Sequence, residues 1–251
     1  MVKSNKYGTE SIQNELLDIL KLFHDFCVKN EIKYSLYAGS CLGAVRHQGF
    51  IPWDDDLDVC MDRYNYNKLL SSFHECLGLG VQKTIWIDRI QKKNAVTVKN
   101  YIPTMDIFVI DSIPDNKLIF EIKVFLLSVL QGMLKEEVSY KKATLFHKIL
   151  LFGTHIAGKF FSTSTLRRWY DSVSQIGNDN PSEFVHISNA AYAGIRRKIP
   201  ADTWDEVQLT PFEDTCVYNT TKYDVFLKIR YGNYMELPDE KHRMPEHVKN
   251  T

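Results

Sequence analysis

No stretch of this sequence offers a membrane span. The two most hydrophobic segments, KLIFEIKVFLLSVLQGML (117–134) and LFHKILLFGTHIAGKFF (145–161), are each interrupted by charge or histidine. Both fall short of the ~18–20 uninterrupted apolar residues a spanning helix needs. The opening MVKSNKYGTE has no apolar signal region, which speaks against a secreted protein. An excess of one charge is missing too: Lys and Arg total 31, and Asp and Glu total 31. That balance argues against a protein whose main job is gripping nucleic acid through a broad basic face, so no nucleic-acid partner is expected, though it leaves room for local basic patches. The five cysteines (Cys27, Cys41, Cys60, Cys76, Cys216) include no C-x-x-C pair. Several sit in apolar patterns, as reduced, buried thiols of a cytosolic protein would. His24 with Cys27, and His74 with Cys76, imitate fragments of a zinc site but lack a second ligand pair. Internal repeats and low-complexity linkers are absent.

What is present is enough apolar material for a core: 251 residues, 44% hydrophobic. Residues 10–29 carry Ile12, Leu16, Ile19, Leu20, Phe23, Phe26 and Cys27 at helical spacing. EIKYSLYA (31–38) alternates as a half-buried strand, with Tyr34, Leu36 and Ala38 on one face and Lys33, Ser35 and Tyr37 on the other. It is expected to end in a Gly39-Ser40 turn, with CLGAVRH as a short helix. LDVCM is the second strand, a helix follows over 64–73, TIWIDRI (84–90) and AVTVKNYI (95–102) pair as a hairpin, and TMDIFVID (104–111) is a further strand. Residues 116–175 are mostly helical, the stretch from Gly177 to Pro181 is a loop, and a helix over 220–231 ends at Gly232. This is an α/β (α+β) fold with a mixed sheet, expected to divide softly into 1–115, a core, and 116–251, a mainly helical region. Lys123, Lys135, Lys141, Lys142, Lys148 and Lys159 punctuate that region. They fit solvated lysines on core helices, or a peripheral contact with a membrane surface.

The chemistry concentrates in GFIPWDDDLDVCMDR (49–63), where four aspartates occupy five positions beside an apolar run. In a strand Asp54, Asp56 and Asp58 share one face, alternate positions standing ~7 Å apart. Like charges so placed repel beside a low-dielectric core, and a divalent cation, Mg²⁺ above all, resolves the conflict. An acidic loop that merely precedes a strand also explains Asp54 and Asp55, but handles Asp58, enclosed by Leu57 and Val59, badly. Asp106 lies within an apolar strand and has a structural or a charged-site role; Asp111 is expected in a turn. A Gly39-Ser40 turn ahead of a helix can cradle phosphate, or be an ordinary turn. Arg46 reaches a phosphate or is a surface charge. Together these groups suit transfer of a phosphorus-centred group.

With those residues in place, YAGSCLGAVRHQGFIPWDDDLDVCMDR (37–63) closely resembles the signature of the LicD-type phosphocholine transferases, the group that includes fukutin and fukutin-related protein. Gly39, Ser40, Leu42, Gly43, Ala44, Arg46, His47, Gly49, Ile51, Pro52, Trp53, Asp54, Asp56 and Asp58 match its order. MDIFVID looks like the family's later strand, and RYGNYMELP (230–238) resembles its C-terminal motif. The likeness runs from about residue 10 onward and is weakest across 116–215. Cys41 departs from the usual aliphatic residue, and DIFVID lacks a common proline.

The resemblance implies a nucleotidyltransferase core of the DNA polymerase β type over 1–115, with Mg²⁺ or Mn²⁺ as cofactor, the helical remainder completing the donor and acceptor sites. It implies transfer of phosphocholine, or a related phospho-alcohol, from CDP-choline or a similar donor to a saccharide hydroxyl of a cell-surface glycan, lipid-linked or growing. CMP leaves. Asp56 and Asp58 become metal ligands and Asp106 the base or a further ligand. Gly39, Ser40, Arg46, Arg230 and Tyr231 become donor- and phosphate-binding residues. A cytoplasmic place at the inner face of the plasma membrane fits. For the choline cation, Tyr192, Trp204, Tyr231 and Tyr234 are open choices. Two alternatives keep the fold: a nucleotidyltransferase that releases pyrophosphate from a nucleoside triphosphate, and a non-catalytic glycan- or nucleotide-binding module.

Overall fold

A computed structural model describes residues 6–76, 78–135, 145–180 and 182–247, without the side chains of 145–151 and of Tyr192. Its elements in chain order are α1 (Glu10–Lys29), β1 (Ser35–Leu36), α2 (Ala38–His47), β2 (Leu57–Asp62), α3 (Arg63–Ser72), β3 (Leu79–Lys83), β4 (Asp88–Lys92) and β5 (Met105–Ser112). After them come α4 (Lys117–Leu134), α5 (Leu145–Gly158), α6 (Thr163–Ser174), β6 (Phe184–Ile187), α7 (Tyr192–Ile195), β7 (Ile199–Pro200), β8 (Val207–Phe212), β9 (Thr215–Thr220) and α8 (Tyr223–Tyr231). The fold is mixed α/β, with a mixed sheet and helices. Among the described residues, no helix is long and apolar enough to cross a membrane. Cys27, Cys41, Cys60 and Cys76 are buried free thiols, and Cys216 is exposed.

Two compact units divide the chain, the first made of Met1–Gln82, Asp88–Val109 and Ala201–Thr251. Its strands run in the order β1-β2-β5-β4-β3. α1 buries Ile12, Leu16, Ile19, Leu20 and Phe23 almost completely, the face its period foretold, with Glu10 in its first turn and Lys29 in its last. β1 is shorter than its alternation suggests and is not half-buried. Only Ser35 and Leu36 pair, with Cys60 and Val59, and residues 34–38 are buried throughout. The β8–β9 hairpin closes the polar side, where Ser35 Oγ accepts from Thr220 N at 2.9 Å. The expected hairpin between 84–90 and 95–102 does not form. β4 instead pairs antiparallel with β5, setting Arg89 opposite Asp106, while Val98 and Tyr101 make an isolated bridge.

The second unit comprises Lys83–Ile87 and Ile110–Pro200. Ile110, Asp111 and Ser112 of β5 pair with Ile187, His186 and Val185 of β6. Its core is Ile113, Phe120, Val124, Leu127, Leu130, Leu134, Leu166, Tyr170 and Ile195. Two expectations change here. Asp111 is no turn residue: it is buried in β5 and accepts from Asn178 Nδ2 at 2.6 Å and Ser188 Oγ at 2.5 Å. Lys123 is no solvated lysine: it is fully buried and donates to Ser112 O at 2.8 Å and Ile176 O at 3.0 Å. A buried ammonium needs such acceptors. Lys159 is exposed, while Lys141, Lys142, Pro181 and the side chain of Lys148 lie outside the described residues.

Candidate active site

The aspartates sit where α2, an extended loop and β2 meet in the first unit. β2 starts only at Leu57, so Asp54, Asp55 and Asp56 belong to the loop and do not alternate along a strand with Asp58. Pro52 and the buried anchors around it explain why. Gln13 Nε2 donates to Ile51 O at 3.0 Å and Asp54 O at 2.7 Å, and Thr9 Oγ1 to Pro52 O at 2.8 Å. Phe50 N donates to Glu213 Oε1 at 3.0 Å on the other side. The loop is held by side chains from two distant segments, the start of α1 and the β8–β9 turn, and its backbone is not free to join a ladder.

Gly39 and Ser40 are not a turn either; both lie in the first turn of α2. A Cβ on Gly39 would stand 2.6 Å from Asp54 Oδ2, so glycine lets that carboxylate lie against the helix start. Ser40 Oγ accepts from Asp58 N at 2.9 Å and sets the beginning of β2. α2 ends on Gln48 in the left-handed region, φ 56°, and turns the chain into the loop.

Asp54, Asp56, Asp58 and Asp106 are brought together. Burial, then the neighbouring charge of Asp56, pushes the Asp54 carboxyl well above its ordinary range, and Asp54 shares a hydrogen bond with Asp56. Burial raises Asp56 as well. Asp58 is pushed up by burial, then by Asp56 and Asp106, against the pull of Arg230. Burial raises Asp106, and Arg89 opposes it. Arg89 Nε donates to Asp106 Oδ1 at 2.7 Å, and its NH2 lies 3.4 Å from Oδ2. Burial raises all four, and neighbouring carboxylates raise Asp54 and Asp58 further, so the group is able to gain from a cation. Among the described residues, no three His, Cys, Asp or Glu side chains stand arranged to hold a metal by themselves. A pair such as Asp56 and Asp58 fits Mg²⁺, which takes one or two carboxylates and completes its shell with phosphate oxygens and water.

The cationic side is Arg230, from the last turn of α8. Its guanidinium lies 5.1 Å from the ring centre of Tyr37 and 5.3 Å from that of Tyr231, and NH1 donates to Tyr37 Oη at 3.2 Å. Its Nε is buried without a hydrogen-bond partner. A buried guanidinium N–H without an acceptor, on a side chain whose charge acts on Asp58, leaves a hydrogen bond that an anionic acceptor could complete. Arg46 takes a different place: NH1 donates to Tyr234 O at 2.9 Å and Glu236 O at 3.2 Å, tying the 230–238 motif to α2. Of the aromatic choices, Tyr231 stands beside Arg230. Trp204 is buried on Phe226, Tyr234 Oη donates to Asp224 at 2.9 Å, and the Tyr192 side chain lies outside the described residues.

Three participants escaped the sequence reading. Arg89 had one signal, its position in an apolar run that becomes β4. Asp55, left off the face assigned to Asp54, Asp56 and Asp58, is 1% exposed and accepts from Glu246 N at 3.1 Å and His247 N at 2.9 Å. His247 lies 192 positions from Asp55, and no local pattern announces it.

Residues 31–153 match the family described as LicD/FKTN/FKRP, nucleotidyltransferase domain. The chain also aligns with the lipopolysaccharide cholinephosphotransferase LicD of Haemophilus influenzae, 27% identical over 262 aligned positions that cover 94% of each chain. The chain carries a LicD-family domain over residues 31–153. Two uncharacterized proteins, RT0683 of Rickettsia typhi and RP689 of Rickettsia prowazekii, share 43% identity over 63 residues. That is 24% of this chain, and 20% and 24% of theirs. The matched LicD segment contains Asp54, Asp56, Asp58 and Asp106, whereas Arg230 and His247 lie beyond it. The residues gathered around these aspartates therefore come from more of the chain than the matched domain.

Proposed function

We propose that this LicD protein is a phosphocholine transferase, or a transferase of a related phospho-alcohol, working from a CDP-activated donor onto a hydroxyl of a cell-surface glycan. The observation that carries the reading is the gathering of Asp54, Asp56, Asp58 and Asp106 opposite an unsatisfied Arg230 Nε. The alignment with a lipopolysaccharide cholinephosphotransferase supports the choice of transferred group. The first unit then serves as a nucleotidyltransferase-type core. Mg²⁺ (or Mn²⁺) held by Asp56 and Asp58 would supply charge neutralisation at the transferred phosphorus.

The chain's own residues do the rest. Arg230 binds and orients the donor diphosphate through its fork, with Tyr231 beside it. Gly39 and Ser40 set the carriers of Asp54 and Asp58, and Arg46 fixes the segment that bears Tyr231. Asp106, steered by Arg89, takes the proton of the acceptor hydroxyl as its oxygen attacks the phosphorus bearing the choline. The bond to CMP breaks, and CMP leaves with the electron pair. The work belongs at the inner, cytoplasmic face of a membrane. Leu118, Ile122 and Phe125, exposed along one stripe of α4, support contact with such a surface.

The test is CMP release from CDP-choline in the presence of glycan acceptor and Mg²⁺. Asp56→Asn and Asp58→Asn should each reduce it by about 1,000-fold, the several kcal/mol that a lost metal site is worth. Pyrophosphate release from a nucleoside triphosphate, or full turnover in both variants, would overturn the reading.

A further inference from the structure

Asp55 stands between Asp54 and the proposed metal ligand Asp56, yet it is held in a separate clamp. It is 1% exposed and takes backbone N–H bonds from both Glu246 and His247. His247 Nδ1 lies 3.3 Å from Asp55 Oδ1, so the imidazole is held by the same carboxylate. The other face of that imidazole stacks on Tyr101, ring centres 4.7 Å apart and planes at 25°. Tyr101 in turn is fixed by its bridge to Val98 and by its hydroxyl, 3.3 Å from Thr104 Oγ1. Thr104 is followed directly by β5, which carries Asp106. A continuous run of contacts thus joins the loop of Asp56 to the strand of Asp106: Asp55, His247, Tyr101, Thr104.

We propose that Asp55 and His247 are positioning residues that set the separation between the Asp56 loop and the Asp106 strand. Two carboxylates on different elements can share a cation or a reacting phosphate only if their elements are held in register, and a loop has no ladder to hold it. Outer partners of this kind commonly cost about 10–100-fold in metal affinity when removed. Asp55 is buried as deeply as a core residue because its bonds replace the missing ladder. The charge of His247 also opposes, in small part, the burial that raises Asp56 and Asp106. The clamp deepens the proposed function and rests on it for the identity of the ligands.

The experiment uses the full chain and Mn²⁺ alone as probe, titrated by calorimetry, together with CMP release and thermal unfolding. Asp55→Asn and His247→Ala should each weaken Mn²⁺ about 10-fold and lower kcat, while KM for CDP-choline and Tm stay near wild type. His247→Gln, which keeps a donor toward Asp55, should recover most of the loss. Wild-type Mn²⁺ affinity in Asp55→Asn would overturn the proposal, as would equal loss of Tm and affinity, which marks plain loosening. If the wild-type chain bound neither Mn²⁺ nor CDP-choline, the proposed function would fall, and the clamp would be read from hydrogen exchange. Faster exchange at 54–58 and 104–106 in Asp55→Asn supports it, and unchanged exchange there overturns it.

Discussion

Arg230 shows how one side chain gathers its meaning from its surroundings. Its head lies between Tyr37 and Tyr231, its Nε has no acceptor, and Asp58 feels its charge. Lysine there would keep the charge but lose the planar fork that grips two phosphate oxygens. Arg230→Lys is expected to raise KM for the CDP-activated donor about 10-fold, one charge-assisted bond's worth, with a smaller change in kcat. Equal KM in the two proteins would show that the guanidinium serves the fold only. At this scale the sequence was legible where a residue's chemistry conflicts with its neighbours. Asp58 and Asp106 betray themselves by lying in apolar runs. Asp55 hides because three adjacent carboxylates look alike until their partners are known, and its partners, Glu246 and His247, come from the far end of the chain.

Elements were legible where a period of 3.6 runs long. α1 spans the ten-to-twenty-nine stretch that its apolar spacing marks. Short elements were harder, because their limits are set by contacts rather than by pattern. The 31–38 segment alternates like a strand, yet only Ser35 and Leu36 pair, and the helix after it begins at Ala38. Gly39 therefore stands in the first turn of a helix, where glycine gives up backbone freedom with no side chain to pack. The site explains the cost, since a Cβ would press on Asp54 Oδ2 at 2.6 Å. Only the end of a side chain must yield, so Gly39→Ala should fold with unchanged or slightly raised Tm. Displacing the carboxylate by an ångström-scale step should still cut CMP release by about 100-fold. A variant that keeps full activity would show that Asp54 has freedom to spare.

The whole molecule is assembled from pairings that local patterns do not encode. Residues 201–251 join residues 1–82 in one unit, for example through Thr220 N and Ser35 Oγ, 185 positions apart. The second unit holds a different long-range device, a fully buried His186 on β6. Its Nδ1 donates to Ile195 O at 2.8 Å, its Nε2 is buried without a partner, and the Phe120 ring packs edge-on against it. Burial, then the nearby Lys123 ammonium, depresses its pKa from 6.5 to about 4, with Asp111 pulling the other way. Between those values the unfolded chain binds a proton that the folded unit refuses, so stability is full above about pH 6.5 and is lost as pH falls toward 4. The depression corresponds to about 3 kcal/mol. Urea unfolding of wild type and His186→Leu at pH 7 and at pH 4.5 separates this contribution from that of the carboxylates common to both. Wild type should lose about 2–3 kcal/mol more than the variant over that interval. Parallel losses would mean that His186 takes up its proton in the folded unit, and that a water or a shift of Lys123 accommodates the charge.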